Sequence, residues 1–565
     1  MKHLKKIGFF LLVFLGVLGF AQNMNIEWGT SVGGIYYDYS ESVAVDNDGY
    51  VYTVGSYKGE VDFDPGTDSL MLTAGWESTD MYIQKLDAEG NLIWIKSIGG
   101  DGSEHPMDIT VDNSGDLLIT GVFANTVDFD PGPDTFELVG GGYNRMFVLK
   151  LNSDGAFIWA KNLETTDGNG PTYSIQTDDD NNVYVAGRFS NSIDFDPGVG
   201  TTIIGSTNNS ADAFVLKLDE NGDFNWVSTV AGAGLNYAYD LVVGTDKSVY
   251  VTGSFAGTSD FDQSAGVFNM TSINGDDIYL MKLDENGNFQ WAKSIGGNSI
   301  DRGIGLTLDI NDNLFLIGYY SNTVDFQTDQ GTYTSTAEGS WDIFVQKVSA
   351  NGDFAWVKCL GSVNTEKATD IIWQDDKLII TGWFQGTFDL DPGVGVFNVV
   401  SNGSNDIFLL LLDDNGNFIN GESIGSIGSD QCYGVAMSQW GEIYLSGEFL
   451  SELEVSGEDG MFTIENHGNA DGFLIKLNQH ALDLDNNDIM HYEIYPNPSS
   501  EGWKIDLNSS SEYSIRMYNL EGNLIYQESG IQQAIYDLDL VISSGVYFLD
   551  IVNAGSSYQH KLIKL

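Results

Sequence analysis

A glycine that closes an apolar run recurs seven times along the chain. It stands in "YTVGSY" at Gly55, "LITGVF" at Gly121, "YVAGRF" at Gly187, "YVTGSF" at Gly253, "FLIGYY" at Gly318, "IITGWF" at Gly382 and "YLSGEF" at Gly447. The successive steps are 66, 66, 66, 65, 64 and 65 residues. So regular a beat requires one supersecondary unit copied along the chain, each copy burying its apolar face against the next. A second marker keeps time with the first: "DMYIQKLD" from Asp80, "RMFVLKLN" from Arg145, "DAFVLKLD" from Asp212, "DIYLMKLD" from Asp277, "DIFVQKVS" from Asp342, "DIFLLLLD" from Asp406 and "DGFLIKLN" from Asp471.

Within a repeat the hydrophobic period is two, and turn residues punctuate it, so the units are short antiparallel strands. "SVAVD" passes through "NDG" into "YVYTVGS", and "DMYIQKLD" passes through "AEG" into "NLIWIKSIGG", which makes two hairpins and four strands. The Asn/Asp-Gly turns supply the positive φ that tight hairpins need, which explains these acidic loops without a metal. Tryptophan marks the fourth strand at Trp94, Trp159, Trp226, Trp291 and Trp356, read as packing between repeats. After the seventh copy no such strand follows; it stands at the other end of the chain, in "IEWGTSVGG" with Trp28. The expected fold is all-β: a seven-bladed β-propeller of four-stranded blades over residues 22–480, its N-terminal strand closing the last blade. A polar linker, 481–490, then leads to short alternating strands over 491–565, read as a small C-terminal β-sandwich.

The acidic hexapeptide "VDFDPG" at Val61 recurs at Val127, as "IDFDPG" at Ile193, and as "FDLDPG" at Phe388. It lies in the connection between second and third strands, with Phe63 expected inward and Pro65-Gly66 forming the turn. Its carboxylates, Asp62, Asp64, Asp128, Asp130, Asp194, Asp196, Asp389 and Asp391, have two readings. They accept local backbone N–H bonds and fold the loop, or they are candidate calcium ligands together with loop carbonyls. The Asp that opens six of the third strands, Asp80, Asp212, Asp277, Asp342, Asp406 and Asp471, with Arg145 the exception, is read as structural, because one catalytic centre needs no copy in every repeat.

Charge narrows the partners. With 81 acidic and 24 basic residues the formal net charge is −57, which opposes nucleic acid and anionic lipid and favours cationic partners or divalent ions. Lys2, Lys5 and Lys6, the apolar run Ile7 to Phe20 and the small-residue site at Ala21 describe a secretory signal peptide, residues 1–21. No other segment is apolar enough to span a membrane. Two cysteines, Cys359 and Cys432, do not make a disulfide framework. No "HExxH" or "GxSxG" motif occurs, so no catalytic residue and no cofactor is assigned. A glycosidase carboxylate pair is defined in space and escapes a sequence reading.

The combination "FDPG", "DIFVQK" and "DENGNFQWAKSIGG" resembles the SBBP-type β-propeller repeats of exported bacterial proteins, over about Asn25 to Asn478. Tyr495-Pro496-Asn497-Pro498, Gly522, Gly545-Val546-Tyr547 and the basic end with Lys561 and Lys564 resemble a type A C-terminal sorting domain of the type IX secretion system of Bacteroidetes. That resemblance implies the secretion machinery as a partner, and display on the outer-membrane surface or release. The expected function is a non-catalytic binding or adhesion module for an extracellular protein or glycan. An extracellular polysaccharide-active enzyme and a structural spacer are the alternatives. The enzyme reading requires unlike residues, such as a His with carboxylates and one of Arg145, Arg188 or Arg302, to converge on the central channel.

Overall fold

In the computed structural model the described residues are 26–64, 66, 69–75, 78–141, 144–165, 170–264, 266–328, 331–457 and 460–477, then 493–495, 503–506, 513–519, 524–531, 535–538, 540, 542–553 and 556–564. The expected signal peptide, the linker 481–490 and Pro496, Asn497 and Pro498 lie outside them. The chain divides into two compact units, Met1–Leu482 and Asp483–Leu565. Among the described residues both are built of strands, with one short 3-10 turn, Thr207–Asn209, in the first.

The first unit is a series of four-stranded antiparallel groups. In the first, Tyr39–Val45, Val51–Tyr57, Asp80–Leu86 and Leu92–Ile98 pair in chain order. The same order repeats in groups opening with Glu104–Val111, Thr172–Thr177, Asn236–Val243, Asp301–Leu308 and Glu366–Gln374. A seventh joins Asp430–Met437, Ile443–Phe449 and Asp471–Leu477 to the N-terminal strand Ile26–Val32, which pairs antiparallel with Asp471–Leu477. The opening strands of consecutive groups touch one another, and Tyr39–Val45 also touches Asp430–Met437.

Apolar clusters fill the junctions between groups. Leu118 and Met146 of the second meet Ile175 and Val183 of the third, and Val43, Val51 and Leu86 of the first meet Tyr444 and Leu474 of the seventh. Fully burying one such side chain stabilises by about 1.5–3 kcal/mol, so these junctions dominate the energetics. The fourth-strand tryptophans reach across the junctions. The indole N–H of Trp94 donates to Ser153 O, Trp159 to Glu220 O, Trp226 to Glu285 O, Trp356 to Asp414 O, and Trp28 to Ala88 O, while the Trp291 ring packs beside Gly352 with its N–H unpaired.

The periodic glycine has a steric cause. A Cβ on Gly55 would lie 1.8 Å from Tyr39 O and 2.6 Å from the Tyr82 ring; on Gly382 it would lie 2.1 Å from Lys367 O and 2.8 Å from the Phe408 ring. The second strand is pressed between the opening strand's backbone and a third-strand aromatic, and only hydrogen fits. Opposite this contact each opening strand carries a one-residue bulge, between Ser40 and Ser42, Pro106 and Asp108, Thr172 and Ser174, Ala238 and Asp240, Gly303 and Gly305, Ala368 and Asp370, and Cys432 and Gly434.

The second unit has two sheets. Leu524–Ile531, Tyr513–Tyr518, Gly545–Asn553 and Ser556–Lys564 form one; Glu493–Tyr495, Trp503–Asp506 and Ile535–Leu538 form the other. Trp503, Ile505, Ile515, Met517, Leu538, Tyr547 and Leu549 make its core.

Candidate functional site

The hexapeptides fold their own connections. Glu60–Asp62 and Met71–Thr73 form a small hairpin where the sequence reading had only a loop. Asp62 Oδ1 accepts the N–H groups of Asp64 (3.2 Å) and Leu70 (2.8 Å), and Asp64 Oδ1 accepts that of Gly66 (2.8 Å). Asp128 and Asp130 repeat the pattern toward Phe136 and Gly132, Asp194 and Asp196 toward Thr202 and Gly198, Asp389 and Asp391 toward Phe397 and Gly393. Phe63, Phe129, Phe195 and Leu390 are buried beneath the hairpins. The hairpins also tie groups together: Asp62 bridges to Gly33, Val127 to Gly100, and Asp194 pairs with Glu164. The four Asp pairs sit on four separate hairpins with Oδ1 already engaged, whereas calcium takes six to eight oxygens. Among the described residues no group of three or more His, Cys, Asp or Glu side chains is disposed to hold a metal.

The third-strand aspartates are likewise local. Asp277 accepts the N–H of Ile273, Asp406 that of Asn402, Asp471 that of His467, and Asp212 those of Thr207 and Gly232. Cys359 and Cys432 are free thiols.

What the sequence reading did not single out is a cavity of about 540 Å³ bounded by all seven opening strands. Bulges re-aim side chains, and here the seven bulged residues, Glu41, Met107, Tyr173, Tyr239, Ile304, Thr369 and Tyr433, all line it. One residue deeper, Asp108, Asp240 and Asp370 stitch neighbouring groups. Asp108 accepts from Ser42 Oγ (2.9 Å) and the Ile175 N–H (2.8 Å); Asp240 accepts from Ser174 Oγ (2.8 Å) and the Leu306 N–H (2.7 Å); Asp370 accepts from the Val435 N–H (2.8 Å). Enclosure by protein pushes these carboxyls up, Asp108 to about 6, Asp240 to about 7 and Asp370 to about 8, against the hydrogen bonds that pull them down.

Where the opening strands begin, one cross-strand pair per group faces its counterparts. The pairs are Tyr39 with Ser56, His105 with Val122, Tyr237 with Ser254, Arg302 with Tyr319, Lys367 with Trp383 and Gln431 with Glu448, and in the third group Arg188 donates its N–H to Pro171 O. The Tyr–Ser combination occurs twice, in the first and fourth groups, and the other groups all differ. The Arg188 guanidinium lies 4.9 Å over the Tyr237 ring, Tyr237 stacks on Tyr239 at 5.2 Å, and Arg302 lies 5.9 Å from the Tyr239 ring. On the other side Glu41 and Glu448 face each other. Burial first, and the Glu448 charge second, push Glu41 up to about 7. His105 contacts Ser56 Oγ (3.2 Å) and Thr79 Oγ1 (3.4 Å), and burial lowers its pKa. Arg145 is elsewhere, its Nε donating to Gly140 O. The sequence did carry a signal for this rim: the residue after each marker glycine changes from repeat to repeat while its neighbours persist.

Residues 493–565 match the family described as the secretion system C-terminal sorting domain. The protein is therefore secreted through the type IX system and is extracellular or on the outer-membrane surface. In this domain Gly545 opens a strand and pairs with Lys564, whose Nζ lies 5.4 Å over the Trp503 ring. Tyr547 is buried and donates to Ser543 O at 2.7 Å; Tyr495 pairs through the backbone with Lys504, and Lys561 with Phe548. Among the described residues no helix is long and apolar enough to cross a membrane. The chain is 22% identical over 512 residues to an uncharacterized WD repeat-containing protein, L264, of Acanthamoeba polyphaga mimivirus, covering 76% of this chain and 36% of that protein. It is 31% identical over 90 residues to the ulvan lyase NLR42 of Nonlabens ulvanivorans, covering 15% of this chain and 17% of the lyase. The chain thus spans well under half the length of these curated relatives. Among solved structures it aligns with the exotype rhamnogalacturonan lyase YesX over 95% of this chain and 91% of that one, at 12% identity and a TM-score of 0.24, too low for an argument about fold or function.

Proposed function

We propose that the first unit is a seven-bladed β-propeller closed by its N-terminal strand, displayed outside the cell as a non-catalytic binding module. The seven four-stranded groups, the pairing of Ile26–Val32 with the last of them and the contact between the first and seventh opening strands support the ring. The rim carries the binding reading. A spacer needs only the packing that each repeat supplies, and its equivalent positions would stay alike. Here the fold holds its repeat while the residues after the seven marker glycines are of six types, only serine occurring twice, and bulges turn seven further side chains toward the same cavity. Convergent polar and aromatic groups at a concave site are the usual form of a ligand pocket. In this reading the hexapeptides fold loops, and calcium has no part.

The test is to screen the purified full chain against glycan and protein arrays and then change the rim. Binding that persists without product formation and is lost in Arg188→Gln supports the module; a ligand whose affinity ignores every rim substitution refutes the placement.

The polysaccharide-active alternative is favoured by one observation: Glu41, held near neutrality, faces Glu448 on the same rim as two arginines. Burial raises Glu448 as well, and two close carboxyls that titrate as a pair can divide the roles of acid and partner in glycoside hydrolysis. Reducing-end release by the native protein, abolished in Glu41→Gln, would establish it.

A further inference from the structure

Most lysines of the third strands are matched to carboxylates: Lys150 lies 2.7 Å from Asp112, Lys347 2.6 Å from Asp414 and Lys476 2.7 Å from Glu442, while Lys85 donates to Ser153 O and lies over the Tyr50 and Tyr52 rings. Lys367, on the rim, is not so matched. Its ammonium is surrounded by three aromatic rings, Tyr319 at 4.8 Å, Trp341 at 5.3 Å and Trp383 at 5.4 Å, and among the described residues no carboxylate pairs with it. Burial lowers its pKa, and the neighbouring charge of Arg302 lowers it further, so two cations share this arc. Arg302 has one distant counter-ion, Asp276 at 3.7 Å. Arg188, two groups away and on the far side of Tyr237 and Tyr239, has no carboxylate partner among the described residues, its Nη1 reaching Tyr237 Oη at 3.5 Å. The Nε atoms of both arginines are buried without a hydrogen-bond partner.

This is an unusual use of cations in a chain with 24 basic and 81 acidic residues. Withdrawing cations from water is unfavourable unless an anion meets them, and a buried donor without an acceptor adds a further penalty. Three cations and two orphan N–H donors in one arc, beside stacked tyrosines and a Tyr319–Trp341 edge contact at 4.9 Å, describe what is missing from the arc. It is a small anion attached to a body with flat, weakly polar faces.

We propose that Arg188, Arg302 and Lys367 form a subsite for an acidic saccharide, a pyranose bearing a carboxylate or a sulfate. The charged group meets the guanidinium and ammonium donors, and the sugar ring lies against Tyr237, Tyr239 and Trp383. The inference rests on the reading of the rim as a ligand site and names its ligand class. A nucleic acid would also offer anions and flat faces, but a polyphosphate must approach a body of net charge −57, which opposes it. One acidic sugar unit placed among three cations meets less of that repulsion, and the extracellular location brings the protein to polysaccharide.

Titration calorimetry on the full chain tests this with galacturonic-acid oligosaccharides, their methyl esters, sulfated galactan oligosaccharides and adenosine monophosphate as probes. The expected result is binding of at least one acidic probe, with the methyl ester about tenfold or more weaker than the free acid if the group is a carboxylate. Preference for the sulfated probe identifies a sulfate instead. Arg302→Gln and Lys367→Met should each weaken the acidic probe about tenfold, the scale of one charged hydrogen bond, while Lys367→Arg retains most of the affinity. Melting temperatures matched to the native protein exclude misfolding. If acid and ester bind alike, or neutral glycans bind best, the rim remains a binding site and the acidic class is wrong. Tighter binding of the nucleotide than of any acidic saccharide overturns it as well. If none of the probes binds, the inference falls; if the arrays also yield no rim-dependent ligand, the reading of the rim falls with it.

Discussion

Two sets of positions recur around the first unit, and they recur in different senses. At the hairpins the side chain itself repeats: Asp62, Asp128, Asp194, Asp260 and Asp389 each accept the N–H two residues on and the N–H eight residues on. At the rim only the place repeats, and the occupants run from Ser56 and Val122 to Arg188, Tyr319, Trp383 and Glu448. Both sets hang on the same backbone, so the backbone is not the cause of the difference. A position whose identity is held constant answers to a local demand of the fold that every copy shares. One that keeps its geometry while its identity drifts answers to something outside the repeat, and a ligand that meets each repeat differently is such a thing.

The comparison breaks most easily at the marker glycines, which join the two sets. Gly382→Ala places a methyl group 2.1 Å from Lys367 O, between two strands that cannot separate without losing their ladder. We expect a loss of about 3 kcal/mol, the upper range for overpacking, read from urea unfolding of the full chain. A loss below about 1 kcal/mol would mean that the bulged opening strand yields, and the rim would then be a soft edge.

Apart from these two sets, the carboxylates of the tight strand-to-strand turns and those at the junctions sort by charge response. Tight-turn carboxylates such as Asp178, Asp284 and Asp309 are pushed up by burial but pulled further down by Asn182, Asn288 and Asn313, so they end below their ordinary value and favour the ionised form. The carboxyls at the junctions and in the cavity go the other way. Burial holds Glu104 at about 8, and Asp301 and Glu366 at about 7, alongside Asp240 and Asp370. A folded pKa above the unfolded one gives stability that is complete below about pH 4 and fades as pH rises through about 7 to 8. The melting temperature of the full chain should therefore fall by several degrees from about pH 5 to about pH 8.5, and the depressed tight-turn groups should cut stability only below about pH 4. A flat profile between pH 5 and 8.5 would show that the junction carboxyls are ionised and solvated.

Removing one hairpin carboxylate has a smaller expected effect. Asp194→Ala deletes two acceptor contacts, to Asp196 and Thr202, and should cost about 1–2 kcal/mol. Calcium added after metal removal should leave the melting temperature of both proteins unchanged. A calcium-dependent rise in the native protein that Asp194→Ala abolishes would turn the hairpin into a ligand site and remove the contrast with the rim.

Much of this architecture was legible in the sequence because it is enforced by sterics that only certain residues satisfy. The glycine period marks a place with no room for Cβ, the Asn/Asp-Gly turns mark positive φ, as at Gly49 (84°) and Gly222 (77°), and Trp28 marked the fourth strand that pairs at the far end of the chain. The rim was less legible for the complementary reason. Its defining feature, a one-residue bulge, changes no residue type and leaves the alternation of "YSESVAV" or "NYAYDLVV" intact on the page. The short hairpin around Asp62 was hidden as well, since three-residue strands such as Glu60–Asp62 are too brief to establish a period. Arg188 and Arg302 were named as the test of the channel, yet nothing in their own neighbourhoods distinguished them from Arg145.

The smallest expected effect on stability carries the most information about function. Arg188→Gln removes a charge that lies over Tyr237 and has no carboxylate partner among the described residues, so folding should change by no more than about 0.5 kcal/mol. A folding role would give a loss comparable to that at the hairpin aspartate; a slight gain is the sharper signature, because a cation held without an anion is a strain that the fold tolerates for another purpose. Measured in the same urea series as Gly382→Ala and Asp194→Ala, the Arg188 variant places the rim on one side of the comparison or the other. Near-neutral stability together with lost ligand binding identifies a position kept for recognition, whereas a loss of about 2 kcal/mol would return Arg188 to the class of residues that hold the repeats together.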